Sequence, residues 1–335
     1  MRHVAVLLPD RYFAGGVAGT LDLLSAANRL AGSGAPLFSW RLLSADGAPV
    51  TASTGLTLAA DGRYADAGEV DAIVVPGIMY ADLSHFETLV AGAAELHQLL
   101  RQWQAEGRLI AGNCSGVALL AESGILDGKT ATICWWLNTW FRRRYPQVRL
   151  ENHAILSECG PLLCSGATTS YLNLGLRLIE RLAGPDLALS CARMMLVDTQ
   201  RASQAPYATL QQYVGHNDPL VSRCQDWLQA NLAQPFSLAA LAAAAGSSER
   251  TVIRHFRQAL GDTPLRYLQQ MRLFTARRLL ENSALALEQI VGRVGYEDVS
   301  TFRRLFKREL GCSPGDYRRR FSSRRTPREL PVASA

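Results

Sequence analysis

The stretch LALEQIVGRVGYEDVSTFRRLFKRELGCSPGDYRRRF (285–321) decides the fold of the last third of the chain. Its first part predicts a short helix that ends at Gly295, and Asp298 is a natural N-cap for a second helix. Apolar residues recur at helical spacing along that second helix, at Phe302, Phe306 and Leu310. They predict a buried face opposite a cationic one, the layout of a helix-turn-helix unit.

An earlier stretch, SLAALAAAAGSSERTVIRHFRQALGDTPLRYLQQMRLFTARRLL (237–280), repeats this layout 50 residues upstream. Ser237 is the predicted N-cap of its first helix, Gly246 makes the turn, and Ser247 or Ser248 caps its second helix. The matching positions are Thr251 and Thr301, Arg254 and Arg304, Phe256 and Phe306, Leu260-Gly261 and Leu310-Gly311, Thr263-Pro264 and Ser313-Pro314, and Tyr267 and Tyr317. Two copies are too few for a solenoid, so we predict a paired motif.

Charge is distributed unevenly along the chain. From His216 onward there are 19 Lys and Arg against 11 Asp and Glu, a net charge of +8, whereas the preceding residues carry 16 and 18, a net of −2. A basic excess confined to one region predicts a polyanionic partner for that region.

The two second helices are therefore predicted to enter the major groove of double-stranded DNA. Residues near the start of such a helix reach base edges, and later ones reach the backbone. The candidate DNA-binding residues are Ser248, Glu249, Arg250, Thr251, Arg254 and His255 in the first copy and Ser300, Thr301, Arg303, Arg304 and Lys307 in the second. Thr251 is equally a candidate capping or packing residue.

Residues 220–321 resemble the AraC/XylS family of regulators through the two stretches quoted above. The most specific part is the motif G-Y/F-x-D-x-S-x-F-x-R-x-F-K, present here from Gly295 to Lys307. The resemblance implies two helix-turn-helix lobes joined by one long helix near Pro264–Glu281. It also implies that the lobes enter successive turns of the major groove on one side of an operator, with RNA polymerase as a further candidate partner.

From Met1 to about Gly184, nearly all-apolar strands alternate with amphipathic helices. The predicted strands are 3–8, 38–44, 72–75, 109–112 and 162–164, and the predicted helices are 19–30, 89–106, 116–123 and 168–182. This order predicts a flavodoxin-like α/β domain, a parallel sheet covered on both faces. We predict a sensor and dimerisation domain at 1–184, a connector at 185–219 that contains a helix over 186–197, a DNA-binding domain at 220–321 and a disordered tail at 322–335.

Within the first domain, LIAGNCSGVALL (109–120) runs from an apolar strand through a turn of small residues into a helix. This is the pattern of a nucleophile elbow, with Cys114 on the sharp turn. Amides at the helix start favour a thiolate and can also hold an anion. A second turn, from Val75 to Ile78, is predicted to add free amides to an anion-binding nest.

Residues 3–183 resemble the class I glutamine amidotransferase-like fold, specifically its PfpI-like group, and the whole chain resembles the GlxA type of AraC-family regulator. Asp22, in the G-x-x-G-x-L-D stretch, is the candidate for an acid that points at the elbow cysteine. The resemblance also implies a homodimer formed through the first domain.

The chain departs from the catalytic pattern at Cys134, which stands before Trp135 where the family commonly has His. We therefore assign no catalytic residue and interpret the elbow as a sensor site. The candidate ligand-binding residues are Asp22, Gly77, Ile78, Cys114, Ser115, Cys134 and Trp135. By resemblance, the small-molecule effector is an amino-acid derivative or a quaternary amine.

Three alternatives remain open for the first domain. Cys114 is a candidate redox sensor with Cys134 as its resolving partner, the domain is a candidate cysteine amidase or peptidase, or it serves dimerisation alone. Seven scattered cysteines without a C-x-x-C pair argue against a disulfide framework and a zinc site, and we predict neither metal nor cofactor. The N-terminus lacks the features of a signal peptide and no apolar run suits a bilayer, which predicts a cytoplasmic protein with no membrane partner.

Overall fold

The computed structural model describes residues 1–32, 34–199, 203–208, 213, 216 and 218–322. These residues divide into two compact units, one from Met1 to Gln204 and one from Ala205 onward. Most of the predicted tail, and parts of the polar stretch of the connector, lie outside the described residues. No helix within the described ranges combines the length and apolar character that a membrane span requires.

The first unit is built on a seven-stranded sheet in the order β10-β11-β7-β6-β1-β2-β5. All neighbouring strands in it are parallel except β10, which is antiparallel to β11. Two small ladders, β3 with β4 and β8 with β9, lie outside it. The strands are β1 (Arg2–Leu7), β2 (Phe38–Ser44), β3 (Val50–Thr51), β4 (Thr57–Leu58), β5 (Gly62–Arg63), β6 (Ala72–Val75), β7 (Leu109–Asn113), β8 (Thr130–Ala131), β9 (Arg149–Leu150), β10 (Leu156–Cys159) and β11 (Leu162–Ser165).

Helices cover both faces of this sheet, as the apolar strands predict. The helices of the first unit are α1 (Ala14–Leu30), α2 (Leu83–Gly92), α3 (Ala94–Ala105), α4 (Val117–Glu122), α5 (Asn138–Arg144), α6 (Tyr171–Ala183) and α7 (Pro185–Met194). Alternate residues of β1 serve two separate cores: Ala5 and Leu7 pack on the side of α2 to α5, and Val4 and Val6 on the side of α1, α6 and α7.

Two predictions about the helices of the first unit need correction. The predicted single helix over 89–106 is two helices, because Ala93 leaves the helical region with φ −85° and ψ 40° and separates α2 from α3. The helix assigned to the connector, α7, belongs to the first unit, where Ala188, Cys191 and Ala192 are buried in the same core as α1 and α6.

The second unit is helical throughout its described residues. Its helices are α8 (Pro219–Ala230), α9 (Leu238–Ala244), α10 (Glu249–Leu260), α11 (Pro264–Asn282), α12 (Leu287–Arg293), α13 (Val299–Leu310) and α14 (Pro314–Phe321). One core joins α8, α9 and α10 to the start of α11, and another joins α12, α13 and α14 to its later turns. The long helix α11 therefore belongs to two lobes, as the resemblance implies.

Candidate functional site

The turn after β7 has the geometry of a nucleophile elbow. Cys114 adopts a φ of +53°, in the left-handed region that side chains other than glycine rarely adopt. The turn after β6 packs directly on it, because each turn places a glycine where the two meet. A Cβ on Gly116 would lie 2.2 Å from the carbonyl oxygen of Pro76, and one on Gly77 would lie 3.2 Å from the Cβ of Cys114.

Two thiols meet at this elbow. Cys114 is 8% exposed, Cys134 is fully buried, and their side chains are hydrogen-bonded to each other. The hydrogen bond from Cys134 lowers the pKa of the Cys114 thiol despite its burial, and backbone hydrogen bonds from Ser115 and Thr168 lower it further. Burial, and then Cys114 itself, raises the pKa of Cys134 well above its ordinary value. The pair therefore holds a thiolate-prone sulfur beside a protonated one.

Ser115 joins the elbow to the turn after β6. Its Oγ accepts a hydrogen bond from the Ile78 amide at 2.8 Å and donates to the Ile78 carbonyl at 2.7 Å. The predicted anion nest needed a free amide at Ile78, and that part of the prediction is wrong. Gly77, Ile78 and Ser115 hold the elbow in shape.

Asn113, the last residue of β7, fixes the other side of the elbow. With its carboxamide oxygen turned toward donors, that oxygen lies 2.9 Å from Ser165 Oγ, 3.3 Å from the Cys114 amide and 3.2 Å from the Tyr171 amide. We favour this orientation because a carbonyl oxygen is the group that an amide N–H needs. Asn113 is buried, so it restrains the strained residue that follows it.

Aromatic side chains line the region beside the two thiols. The rings of Trp135 and Trp136 meet edge to face with centroids 5.2 Å apart. Trp136 donates from Nε1 to the Tyr80 hydroxyl at 3.0 Å. Tyr80 and Trp136 pack against the core cluster that contains Cys114 and Cys134. Burial raises the pKa of Tyr80, and the neighbouring Cys134 and Cys114 add to that rise. Tyr80 and Trp136 are thus part of the site, and Tyr80 is a residue that sequence reasoning missed.

Gln204, the last residue of the first unit, is a site residue that sequence reasoning missed. Its side chain is fully buried. Its Oε1 accepts hydrogen bonds from the amides of Trp135 at 3.2 Å and Ala167 at 3.1 Å, and its Nε2 donates to the Ile133 carbonyl at 2.8 Å. A Cβ on Gly166 would lie 2.8 Å from this carboxamide, so the glycine makes room for it.

Asp22 is not brought to the elbow. In α1 the neighbouring Leu23 and Leu24 point into the core, and this helical phase leaves the Asp22 side chain exposed. The residue of α1 that does approach the elbow is Gly16, whose Cβ, if present, would lie 3.8 Å from the carboxamide of Asn113.

In the first lobe of the second unit, α9 and α10 form the predicted helix-turn-helix. Gly246 makes the turn with a φ of +63°. Ser248 caps α10 by accepting from the Thr251 amide at 3.2 Å, and its hydroxyl also bonds to Thr251 Oγ1. Thr251 therefore takes part in the cap, as the capping alternative proposed. The exposed polar residues of this helix include the candidates Glu249, Arg250 and Arg254.

The second lobe repeats this geometry with α12 and α13. Gly295 makes the turn with a φ of +78°, and Asp298 caps α13 by accepting from the Thr301 amide at 2.5 Å. Arg304 donates to Thr301 Oγ1 at 3.2 Å. The candidates Ser300, Thr301, Arg303, Arg304 and Lys307 are all exposed. A groove of about 560 Å³ beside α13 is lined by four cations, Arg303, Arg304, Lys307 and Arg318.

His255 differs from the other DNA-binding candidates. Its Nδ1 lies 2.6 Å from Oδ2 of Asp218, and Asp218 also caps α8 by accepting from the Leu220 amide at 2.9 Å. His255 is partly buried and joins α10 to α8. The structure thus places it in the packing of the lobe.

Buried arginines of α11, which sequence reasoning missed, hold the second unit together. Arg272 donates to the carbonyls of Leu232 at 2.9 Å and Gln234 at 2.6 Å, and its guanidinium stacks over the ring of Tyr296. It therefore links a loop of the first lobe to the turn of the second. Arg277 donates to the carbonyl of Pro206 at 2.8 Å and to the Tyr317 hydroxyl at 3.0 Å.

Comparisons with known proteins agree with both halves of this description. Residues 6–180 match the DJ-1/PfpI family and residues 241–320 match a helix-turn-helix domain. The HTH-type transcriptional regulator CdhR of Pseudomonas aeruginosa is 31% identical over 93% of this chain and 90% of its own. GlxA of Rhizobium meliloti, also named an HTH-type transcriptional regulator, is 26% identical over 96% and 97%.

Among solved structures, an AraC family transcriptional regulator from Pseudomonas putida matches with a TM-score of 0.51 and 26% identity, over 58% of this chain and 100% of its own. A parallel sheet with a cysteine elbow, followed by paired helix-turn-helix lobes, defines a DNA-binding regulator. The chain belongs to the AraC-type family of HTH transcriptional regulators whose first domain is of the DJ-1/PfpI family.

Proposed function

We propose that this chain recognises a specific operator in double-stranded DNA through α10 and α13. The observation that carries the proposal is the repeated geometry of the two lobes. Each recognition helix follows a left-handed glycine, has a side-chain cap and exposes arginines from its first turns onward. Arginine in that position reads a guanine edge with two hydrogen bonds or pairs with a phosphate.

Arg304→Ala tests this assignment. An operator is first selected from random duplexes with the wild-type chain, and the affinities for that duplex and for a scrambled one are measured by fluorescence anisotropy. If Arg304 reads a base, the variant weakens binding to the selected duplex by about 5- to 150-fold, which corresponds to about 1–3 kcal/mol, and changes the affinity for the scrambled duplex much less. Arg29→Ala, an exposed cation of the first unit, is the charge-matched control.

An equal loss on both duplexes would assign Arg304 to a phosphate contact. A wild-type chain that binds selected and scrambled duplexes with the same affinity would overturn the proposal.

We propose further that a small metabolite bound at the elbow controls DNA binding. An amino-acid derivative or a quaternary amine suits the aromatic side chains of Trp135, Trp136 and Tyr80, because aromatic faces attract cations. Gln204 supports a route from the site, since it bonds to the Trp135 amide and is the last residue before the second unit begins. A ligand that moves Trp135 would disturb the hydrogen bond between Gln204 and the Trp135 amide. This would change how the second unit contacts its DNA half-sites.

Calorimetric titration of small amines and amino acids into the full chain tests the effector site. We expect one of them to bind the wild-type chain and to bind Cys114→Ala at least about tenfold more weakly, since a tenfold change corresponds to about 1.4 kcal/mol of lost contact. Cys159→Ala, in β10, is the matched control. Equal affinity for all three chains would place the ligand elsewhere.

We propose that the first domain is not an enzyme. The group that faces the Cys114 thiol is the thiol of Cys134, whose raised pKa leaves it protonated and unsuited to act as a general base. Hydrolysis of amide or ester substrates by the purified chain that disappears in Cys114→Ala would contradict this.

The contact between the two thiols favours redox sensing as a second candidate function. The Cys114 thiolate would attack a hydroperoxide, forming a sulfenic acid and releasing hydroxide or alkoxide, and the Cys134 thiol would then displace water to form a disulfide. Peroxide treatment tests it: formation of a Cys114–Cys134 disulfide, found by mass spectrometry, with a change in operator affinity would support this candidate over a metabolite.

We propose a cytoplasmic homodimer, formed through the first unit, that acts together with RNA polymerase. Light scattering of the full chain and of a version that ends at Gln204 tests the dimer. A monomeric mass for the full chain would contradict it.

A further inference from the structure

A cavity of about 350 Å³ opens at the carboxyl edge of the main sheet. Asp10, Ala45 and Ile78, which follow the ends of β1, β2 and β6, all line it. In the sheet, β1 lies between β2 and β6, so the order of strands reverses at this edge. Ligands of open α/β sheets bind in the crevice at such a switch point. The position of the cavity is thus suited to a small molecule.

The break between α2 and α3 forms one side of this cavity. Gly92, Ala93 and Glu95 all line it, and Glu95 lies in the first turn of α3. A continuous helix would carry this segment past the sheet, whereas the change of direction at Ala93 sets a carboxylate on the rim. The break that the sequence did not predict therefore has a consequence for binding.

The cavity is apolar with an acidic rim. Its apolar lining comes from Pro9, Ala45, Ile78, Leu89, Leu96 and Leu119. Asp10 and Glu95 supply two carboxylates, neither of which forms an ion pair within the described residues, and none of the described residues that line the cavity is basic. Arg63, whose charge acts on Glu95, is itself paired with Asp66 at 3.1 Å.

Tyr64 provides a second and independent sign of a ligand. Its side chain is only 5% exposed and lines the cavity, and its hydroxyl has no hydrogen-bond partner among the residues that the structure describes. The hydroxyl is not completely enclosed by protein, so it faces the open cavity with a donor and an acceptor that a bound ligand can use. Burial raises the pKa of Tyr64, and the carboxylates of Asp46, Glu95 and Asp10 raise it further, which shows that this end of the cavity is negative.

We propose that this cavity binds a small organic cation, with an ammonium or guanidinium group between Asp10, Glu95 and the Tyr64 hydroxyl and an apolar body against Leu89 and Leu96. The site goes beyond the effector site at the elbow and shares Ile78 with it. Ile78 joins the two, because it lines the cavity and its peptide group bonds to Ser115.

Ligand-observed NMR titration of the full chain tests the site with n-pentylammonium chloride and with 1-pentanol, a neutral probe of equal heavy-atom number. We expect the amine to bind at least about tenfold more tightly than the alcohol, because a charge-assisted hydrogen bond is stronger than one between neutral groups. Glu95→Gln should weaken amine binding about tenfold and Tyr64→Phe about threefold. Glu69→Gln, an exposed carboxylate of the same unit outside the cavity, is the control and should leave it unchanged.

A blocking variant separates this cavity from the elbow. A Cβ at Gly92 meets open space, so Gly92→Phe is tolerated by the backbone and places its ring over the cavity. We expect it to abolish amine binding. Undiminished binding by Gly92→Phe and Glu95→Gln, equal affinity for amine and alcohol, or no binding by the wild-type chain would each overturn the proposal. Operator binding by the same chains is measured in parallel, so failure of this site is distinguished from failure of the DNA-binding proposal.

Discussion

Cys114 and Cys134 show how the same side chain acquires opposite properties from its surroundings. Both are buried, and burial alone raises the pKa of a thiol. Cys114 escapes this effect because Cys134 and backbone groups of Ser115 and Thr168 hydrogen-bond to its sulfur. Backbone hydrogen bonds at Cys134 and Leu137 lower the pKa of Cys134, but burial and the neighbouring sulfur of Cys114 outweigh them. When Cys114 is a thiolate, the protonated Cys134 is therefore the donor of the hydrogen bond between them.

Removing the donor tests this direction. We expect Cys134→Ala to raise the apparent pKa of Cys114, because burial then acts against the thiolate with one hydrogen bond fewer. The measurement is the pH dependence of Cys114 alkylation by iodoacetamide, followed by mass spectrometry. Cys159→Ala is the control. An unchanged profile in Cys134→Ala would show that the backbone groups alone hold the pKa of Cys114 down.

At the residue scale, the local signals of the sequence were informative and the long-range ones were not. Ser237, Ser248 and Asp298 are the N-caps that the sequence predicts. A cap depends on residues three positions away, which the sequence shows directly. Gln204 escaped notice because its side-chain partners lie 37 to 72 residues away and its own segment is polar. Asp22 was misplaced because the resemblance fixes its position only approximately, and in a helix a shift of one residue exchanges core for solvent.

At the scale of elements, the turn of the second lobe is also the point where the two lobes touch. Gly295 combines a left-handed φ with close packing, since a Cβ there would lie 2.7 Å from the Ala233 carbonyl oxygen and from Nη2 of Arg272. Gly246, the matching glycine of the first lobe, has a left-handed φ but open space around it. The two turns are alike in conformation and differ in what surrounds them.

Gly295→Ala is therefore expected to destabilise the second unit by about 2–3 kcal/mol, through backbone strain and the clash with Ala233. Gly292→Ala is the matched control. It lies in α12, a Cβ there meets nothing, and it should stabilise the helix by up to about 1 kcal/mol. Calorimetric unfolding of the full chain measures both. Equal changes in the free energy of unfolding for the two variants would show that the first lobe does not pack tightly against Gly295.

Glu309 of α13 couples the second recognition helix to α11 through Arg266, whose Nη2 lies 2.6 Å from Oε2. Burial acts to raise the pKa of Glu309, but the hydrogen bond and charge of Arg266, followed by those of Arg308, outweigh it and lower the pKa. The pKa of this carboxyl is lower in the folded state than its value of about 4.3 in the unfolded state. The carboxylate therefore stabilises the folded state at pH values above about 4.3, and this stabilisation is lost as the pH falls through the folded-state pKa.

We expect Glu309→Gln to lower the free energy of unfolding by about 1–2 kcal/mol at pH 7. The loss should become progressively smaller as the pH falls below about 4.3. The measurement is hydrogen exchange in α11 and α13 of the full chain, corrected for intrinsic rates at each pH. Glu297→Gln, on the exposed turn before α13, is the control. A cost that is independent of pH would mean that shape, and not charge, holds the pair together.

The regular elements followed closely from sequence patterns where one periodicity dominates. The bounds of β2 and β6 are those predicted. The long helix that the family resemblance implies, near Pro264–Glu281, was placed to within one residue, at Pro264–Asn282. β10 was missed because Ser157 and Glu158 interrupt any apolar run: its four residues are half-buried, buried, exposed and half-buried in turn, at the antiparallel edge of the sheet. The break at Ala93 was missed because Gly92 and Ala93 interrupt no apolar pattern, so only the tertiary packing shows it.

At the scale of the whole molecule, the second unit is one body that carries two recognition helices, α10 and α13. Arg272 bonds to the loop between α8 and α9 and stacks on Tyr296, while Arg266 and Glu309 join α11 to α13. These ties cross from one lobe to the other, so α10 and α13 keep a fixed separation. A fixed separation predicts a fixed spacing between the two stretches of DNA that they contact.

Inserting two base pairs between those stretches should therefore reduce affinity to the non-specific level, because it rotates one stretch by about 70° around the duplex. Fluorescence anisotropy with the selected operator measures this, and two base pairs added outside the footprint provide the control. An operator that tolerates the insertion would show that each lobe docks independently.

Gly166 has a consequence for how this regulator would lose its dependence on a signal. A methyl group at position 166 would collide with the carboxamide of Gln204 and displace it from its hydrogen-bonding position. The substitution would alter no residue that contacts the metabolite or the operator. A genetic screen would then recover Gly166→Ala, although residue 166 is not part of a contact surface. The screen would select strains that express the target genes without inducer, or that never express them. Such a variant would hold the regulator in one state whether or not the effector is present.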